Sequence, residues 1–433
     1  MNKQILRLAL PNIITNITVQ LLGMVDIAIV GHIGNASHIG AIAIGTMIFN
    51  LIYWNFGFLR MGTSGLTAQA YGAEDWNEAM RIMVRGLTIA LSAALLLILL
   101  QYPIAKLCEL WIDSSEEVMT LALQYFYIRI WAAPATLGLY VLKGWFIGMQ
   151  NSKTPMWIAI IMNIINIAFS LLFVMVWKMG IQGVAFGTVL AQYSGLLMAI
   201  IFWFWKYGHL RSRIDLRGSL HWQEMKRFFK VNGDIFLRTL CLVAVFTFIP
   251  AISASMGDKI LAANTLLMQL FTLFSYIMDG FAYAGEALVG RYIGAKDVPR
   301  LRQSVKYLLR WGIIITLLFT VIYYFWGEYI LAILTNEKTV IAEAMGYMVW
   351  TLMVPITGFS AFLFDGIYIG ATASKSMRNI MFVATAGFFI AYYTLAPRLG
   401  NDGLWIAFLL FLTLRGGLMW LWNGKVIRVK NAV

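Results

Sequence analysis

Cysteine is scarce in this chain: its 433 residues hold two, Cys108 and Cys241, far apart. No disulfide framework and no paired-cysteine metal motif can be built from them. Charge is scarce as well. Charged residues make up 12% of the chain and hydrophobic residues 61%, whereas a soluble domain carries roughly a quarter charged residues. A water-exposed fold of this composition would leave large apolar patches. The composition therefore excludes a soluble domain and makes the bilayer the natural solvent. The four histidines show no ligand spacing. There is no HExxH pair, no GxSxG elbow and no histidine inside an apolar run, so nothing supports an intramembrane enzyme. No metal site and no cofactor is expected. The apolar run from Leu8 carries on as a full span without a small-residue cleavage site, so no cleavable signal peptide is expected.

What is abundant is long apolar sequence. Runs able to cross about 30 Å of hydrocarbon as a helix fall at 8–31, 41–68, 84–107, 121–148, 156–177, 182–205, 234–256, 260–288, 308–334, 341–371, 379–397 and 403–423. These twelve runs are far longer than barrel strands, so they predict an all-α, multi-pass protein. The net charge of +13 is read by location rather than as a nucleic-acid signal. With both termini cytoplasmic, 23 Lys and Arg fall on the inner side and five on the outer side, the remaining five lying within spans. That asymmetry sets the orientation. The most basic inner segment, 206–233, separates a six-helix lobe at 1–205 from a second at 234–433. Within it His221–Lys230, "HWQEMKRFFK", reads as a short amphipathic helix lying against anionic lipid.

The two halves resemble each other. Tyr71-Gly72-Ala73 pairs with Ile293-Gly294-Ala295, and "KGWFIGMQNSKT" (143–154) pairs with "DGIYIGATASKS" (365–376), both at an offset of 222 residues. Each copy of the second motif places Gly-x-x-x-Gly after a polar residue and Ser-Lys shortly beyond. Six spans per copy is an even number, so the copies share one orientation and are related by an axis along the membrane normal. Two such lobes suit alternating access to a central site.

A charge at mid-bilayer costs about 2.5–3.5 kcal/mol on insertion scales, so each one within a span needs a reason. Asp26 lies deep in the first run with no basic residue within two turns of its own helix. One reading is a carboxylate that takes up and releases a proton as its exposure changes; the other is a satisfied structural acid. Pro11, about four turns earlier, invites a bend in the same helix. In the second half Arg238, Asp279, Glu286 and Asp365 form either a transport site or an ion-pair network that holds the lobe together. Arg129 and Arg415 read as structural, paired with carbonyls or snorkelling. Arg60 and Lys143 divide between gating or lobe-stabilising roles and snorkelling. Asn163, Asn166 and Ser170 share one face of the fifth run, and Thr188 and Gln192 are one turn apart on the sixth. Such faces turn toward protein or a polar cavity. The many Phe, Tyr, Trp and Met side chains are mostly lipid-facing or packing residues. Some lining of an apolar cavity by aromatics and Met would suit flat, cationic molecules.

The segments "ALPNIITNITVQLLGMVDIAIVGHIG", "GLTAQAYGA", "NIINIAFS", "MDGFAYAGEALVGRYIGA" and "FDGIYIGATASKSMRN" resemble the multidrug and toxic compound extrusion (MATE) family, in particular its DNA-damage-inducible protein F branch. The resemblance implies a V-shaped, two-lobed antiporter of the bacterial inner membrane. It would export organic, often cationic and amphipathic compounds in exchange for H⁺ or Na⁺. By this resemblance Asp26 matches a first-span acid whose protonation is coupled to bending near Pro11. Asn166 and Thr188 match polar positions linked to that acid, and Asp365 matches a tenth-span acid implicated in cation coupling in a sister branch. Relatives often carry Asp where this chain has Ser170, which leaves Asp26 as the only mid-span carboxylate of the first lobe. The expected partners are small organic substrates and membrane lipids, with no nucleic acid, and a monomer is expected. The alternative reading is a flippase or exporter of a lipid-linked or amphipathic metabolite, for which Arg60, Lys143 and Arg238 are the candidate contacts.

The charge asymmetry predicts a cytoplasmic C terminus. A green fluorescent protein fused there should fluoresce and an alkaline phosphatase fused there should be inactive; an active phosphatase would reverse the orientation.

Overall fold

The computed structural model describes residues 1–31, 36–112 and 114–426; the side chains of 22–24, 26–28, 30, 31, 36, 425 and 426 lie outside the described part. Asp26 is one of these. Its backbone belongs to the first helix, and the proton-site reading of its side chain falls outside the described residues.

Among the described residues the regular structure is helical throughout. The first half holds α1 (Asn2–Gly31), α2 (Ala36–Asn55), α3 (Gly57–Gly72), α4 (Trp76–Leu99), α5 (Gln101–Trp111), α6 (Glu116–Arg129), α7 (Ala133–Gly148), α8 (Lys153–Leu171) and α9 (Gly180–Tyr207). The short α10 (Leu216–Ser219) follows. The second half holds α11 (Trp222–Ser255), α12 (Asp258–Gly294), α13 (Val298–Leu334), α14 (Lys338–Gly346), α15 (Met348–Gly370), α16 (Ser374–Leu399) and α17 (Asn401–Val426). Among the described residues, eleven helical stretches are long and apolar enough to cross a membrane. The remaining apolar run is α1, 30 residues long and continuous through Pro11. The protein is an all-α, multi-pass membrane protein.

Several stretches differ from the sequence expectation: the second run divides at Phe56 into α2 and α3, and the fourth is divided into α6 and α7 by a 3-10 turn at Ile130–Ala132. The third run splits at Leu100 into α4 and α5. α4 starts earlier than the apolar run because the Asp75 side chain caps it, accepting from the Glu78 N–H. Residues 338–371 divide into α14 and α15. The stretch His221–Lys230 is not a separate helix: from Trp222 onward it is the start of the 34-residue α11.

The chain forms two compact units. The first is Ile14–Phe229; the second combines Met1–Ile13 with Lys230–Val433. Two helices pass from one unit to the other, α1 between Ile13 and Ile14, two residues after Pro11, and α11 between Phe229 and Lys230. In the first unit α3 packs on α7, α4 on α7 and α8 on α9. In the second, α12 packs on α15, α15 on α17 and α16 on α17.

The internal repeat is written into the backbone. Outside glycine, a left-handed residue is uncommon. Yet Glu74 (φ 56°) and Lys296 (φ 55°) share this conformation at the 222-residue offset, as do Gln150 (φ 61°) and Thr372 (φ 51°). Lys178 (φ 53°) and Gly400 (φ 56°) also share a positive φ at this offset. The turn around Glu74 closes with Asp75 N–H on Ala70 O at 2.9 Å, and that around Lys296 with Asp297 N–H on Tyr292 O at 3.0 Å. The next helix is then capped by Asp75 on Glu78 N–H in one copy and by Asp297 on Arg300 N–H in the other.

The Gly-x-x-x-Gly motifs make close helix-to-helix backbone contacts in both copies. Gly144 meets the backbone oxygen of Arg60 on α3, and its repeat-mate Gly366 meets that of Ala282 on α12. One turn on, a Cβ at Gly148 would lie 2.8 Å from Ser64 O, and one at Gly370 would lie 2.6 Å from Glu286 O. Arg60 and Ala282, and Ser64 and Glu286, are themselves 222 residues apart. Small residues that let backbones approach are what membrane helices use to associate.

Gly148→Ala and Gly370→Ala should each destabilise the purified protein, by about 1–3 kcal/mol if the overpacked backbone has to shift. Gly417→Ala, where an added Cβ meets nothing within 4 Å, should not. Thermal unfolding in detergent measures both, and equal midpoints for all three variants would show the contacts to be loose.

Candidate functional site

In the first unit the polar face of α8 meets α9. Asn163, Asn166, Ser170 and Thr188 are all buried. Asn166 Nδ2 donates to Thr188 Oγ1 at 3.2 Å, and Ser170 Oγ donates to Asn166 Oδ1 at 3.4 Å. Thr188 Oγ1 donates in turn to Val184 O at 3.0 Å. Asn163 Nδ2 reaches α1, donating to Thr18 O at 3.0 Å. The i, i+3 and i+4 spacing thus yields one connected polar strip that ties α8 to both α1 and α9. Gln192, grouped with this strip from its spacing, is half-buried and is joined to it by no hydrogen bond among the described residues.

Ser170 has no exposed surface. It faces Gly187 of α9, where an added Cβ would come within 2.5 Å of Ser170 Oγ and 2.9 Å of its backbone N. The space beside it is therefore backbone-tight, and a larger acidic side chain at 170 would need α8 and α9 to separate. Directly after this contact α8 widens into a π-helical turn at Leu172–Val176. Such turns often mark functional sites, and the apolar residues of this one gave no sequence signal.

The second unit treats the equivalent positions differently. Phe388 and Tyr392, the repeat-mates of Asn166 and Ser170, pack edge-on against Phe248 with ring centroids 5.9 and 4.9 Å apart. Phe248 is itself the repeat-mate of Asp26. An interior that is hydrogen-bonded in one unit is aromatic in the other.

The charge of the second unit lies elsewhere. Asp365 on α15 receives hydrogen bonds on one oxygen, Oδ2, from Arg238 of α11 and from Arg415 of α17. All three are buried, at 3%, 7% and 4% exposure for Arg238, Asp365 and Arg415. Asp279 of α12 is close enough to Arg238 to interact with it electrostatically. Glu286, seven residues on, is fully buried where α12 meets Gly370 of α15. Arg238, Asp279 and Asp365 are therefore brought together. The missing member was Arg415, which the sequence reading assigned to carbonyls or an interface. Its guanidinium also lies over the Phe362 ring at 5.6 Å.

The other intramembrane cations lie in the first unit. Arg129 donates to the Tyr125 hydroxyl at 2.7 Å and lies over the Phe49 ring at 4.7 Å, a partner set built from aromatics rather than carbonyls. Arg60 is buried on α3 and Lys143 half-buried on α7.

Comparison with known proteins agrees with this architecture. The MatE family model matches residues 11–172 and 235–393. The chain is 39% identical over 422 residues to DNA damage-inducible protein F of Escherichia coli (strain K12), covering 96% of this chain and 90% of that one. It is 21% identical over 443 residues to Multidrug resistance protein MdtK of Yersinia pseudotuberculosis serotype O:1b (strain IP 31758), covering 96% and 94%. The crystal structure of MATE in the bent conformation superimposes with a TM-score of 0.87 at 20% identity, over 99% of this chain and 96% of that one.

Removing one partner of a buried ion pair typically costs about 3–5 kcal/mol. Asp365→Asn leaves two buried guanidinium groups without their shared carboxylate and should lower the thermal midpoint in detergent sharply. Arg415→Met leaves Asp365 paired with Arg238 and should cost less. The reverse order would mean that Asp365 does not carry the cluster.

Proposed function

The chain belongs to the MatE family, and from that premise we propose that it is a secondary active exporter, not an enzyme. It moves organic, often cationic and amphipathic compounds across the bacterial inner membrane by alternating access, in exchange for H⁺. The cargo class follows from the relatives, among them one named as a multidrug resistance protein.

The coupling assignment rests on one observation, the double guanidinium contact on Asp365. A carboxylate already neutralised by two fixed cations inside the protein has little left to offer a mobile one. In this reading the resemblance-based role of Asp365 in cation coupling does not carry over to this chain, and the coupling acid is Asp26 of the first unit. The polar strip in that unit favours a proton over Na⁺. A hard cation needs several free oxygen ligands, and Asn166 Oδ1 and Thr188 Oγ1 already exchange hydrogen bonds with neighbouring side chains.

In proteoliposomes with an imposed pH gradient, the wild-type chain should transport a cationic dye, and a Na⁺ gradient alone should drive none. Asp26→Asn should lose transport at least tenfold while inserting normally. Transport at the wild-type rate by that variant would remove Asp26 from the mechanism, and transport driven by Na⁺ alone would replace the proton.

A further inference from the structure

Residues 206–229, which join the sixth span to the seventh, are not a free loop. Leu210 and Phe228 are buried in the apolar cluster that includes Trp145, Trp203 and Tyr207 of the first unit. Arg85 of α4, itself buried, donates Nε to Ser219 O at 2.8 Å and an Nη to Glu78 at 2.7 Å, and lies 3.7 Å from Glu224. Arg81, one turn earlier, donates to Asp215 at 3.1 Å. The Gly218 N–H and then the Arg81 guanidinium hold the Asp215 carboxyl below the usual carboxylate range. It therefore stays ionised at neutral pH, and the stabilising contact is lost only as pH falls through that lowered value.

Pinning the segment this way sorts its charges. Asp215 and Glu224 are its only acids, and both are paired with arginines of α4. Arg211, Arg213, Arg217, Lys226 and Arg227 remain exposed. Between them stand exposed apolar side chains: Leu216 at 63%, Trp222 at 72% and Phe229 at 49%. Residues 214–221 separate the membrane-length helical stretches Gly180–Arg213 and Trp222–Ser255, so the segment around them lies at the level of a membrane boundary. Cations interleaved with aromatic and aliphatic side chains at that level match an anionic lipid surface in both charge and polarity.

We propose that residues 206–229 are a docking surface for the anionic phospholipid headgroups of the leaflet they border, with phosphates on the arginines and lysines and Leu216, Trp222 and Phe229 at the acyl boundary. The inference depends on the membrane-spanning fold and the α4 contacts, not on the cargo or the coupling ion.

The test is native mass spectrometry of the full chain, purified in detergent and titrated with phosphatidylglycerol or phosphatidylcholine. The wild-type chain should retain phosphatidylglycerol preferentially, and added salt should weaken that retention. R211Q/R213Q/R217Q should bind it less, by about fivefold per cation removed, while R211K/R213K/R217K should keep the preference. Equal retention of the two lipids by the wild type overturns the proposal, as does undiminished preference in the glutamine variant. Should the glutamine variant fail to fold, the wild-type lipid comparison and the lysine variant still decide.

Discussion

Helices in hydrocarbon gain nothing from expelling water, so they stay together only where their backbones come close enough for dense contact. In this molecule the two copies share one such contact, made by Gly144 and Gly148 against α3 and by Gly366 and Gly370 against α12. The rest of each unit is arranged around it. Asp365 directly precedes Gly366, so the contact that fixes α15 on α12 also fixes the carboxylate in the interior, where α11 and α17 bring a guanidinium to it from two other helices. In the first unit the same contact fixes α7 on α3 beside the buried Arg60.

The two units meet the cost of buried polarity by different routes. The first uses neutral groups that satisfy one another in a chain, Thr188 to Val184, Asn166 to Thr188 and Ser170 to Asn166. Nothing in that strip is charged, so it is stable without a counter-ion. The second uses full charges, and a buried ion pair holds only if the geometry is good and every partner is present. A neutral strip carries no fixed charge to disturb; a cluster of fixed charges is disturbed by the loss of any member. That contrast is the physical ground on which the coupling acid is proposed for the first unit rather than the second.

Much of the fold was legible because the bilayer imposes one rule on every span: an apolar run of about twenty residues with its backbone hydrogen-bonded internally. The helices nonetheless overrun their apolar runs. α11 begins at Trp222, not 234, and α13 at Val298, not 308, because a backbone at the boundary goes on hydrogen-bonding to itself whatever side chains it carries. The repeat was legible because its landmarks, Gly72-Ala73 and Gly294-Ala295, end helices at equivalent turns. Pairings across helices were less so. Arg238 and Asp365 stand out as charges within spans, and Asn166 and Ser170 as a polar face. That Arg415 completes the cluster depends on the rotation of α17 about its own axis, which one helix's sequence does not state. The role of Arg85 was hidden for the opposite reason: it looked like one more cytoplasmic cation, and only its burial against Ser219 separates it from the exposed ones.

The shared left-handed residues at 74 and 296 and at 150 and 372 show that the two copies keep the path of the chain at these turns while many side chains differ. Many positions in one half thus have a counterpart in the other that holds a different residue at an equivalent place in the chain. Phe388 stands for Asn166, Tyr392 for Ser170 and Ala282 for Arg60. The molecule in effect holds an ancestral experiment inside itself. Exchanging residues between counterparts asks what a side chain contributes with the scaffold held constant, a comparison that a single-copy protein can obtain only from its relatives.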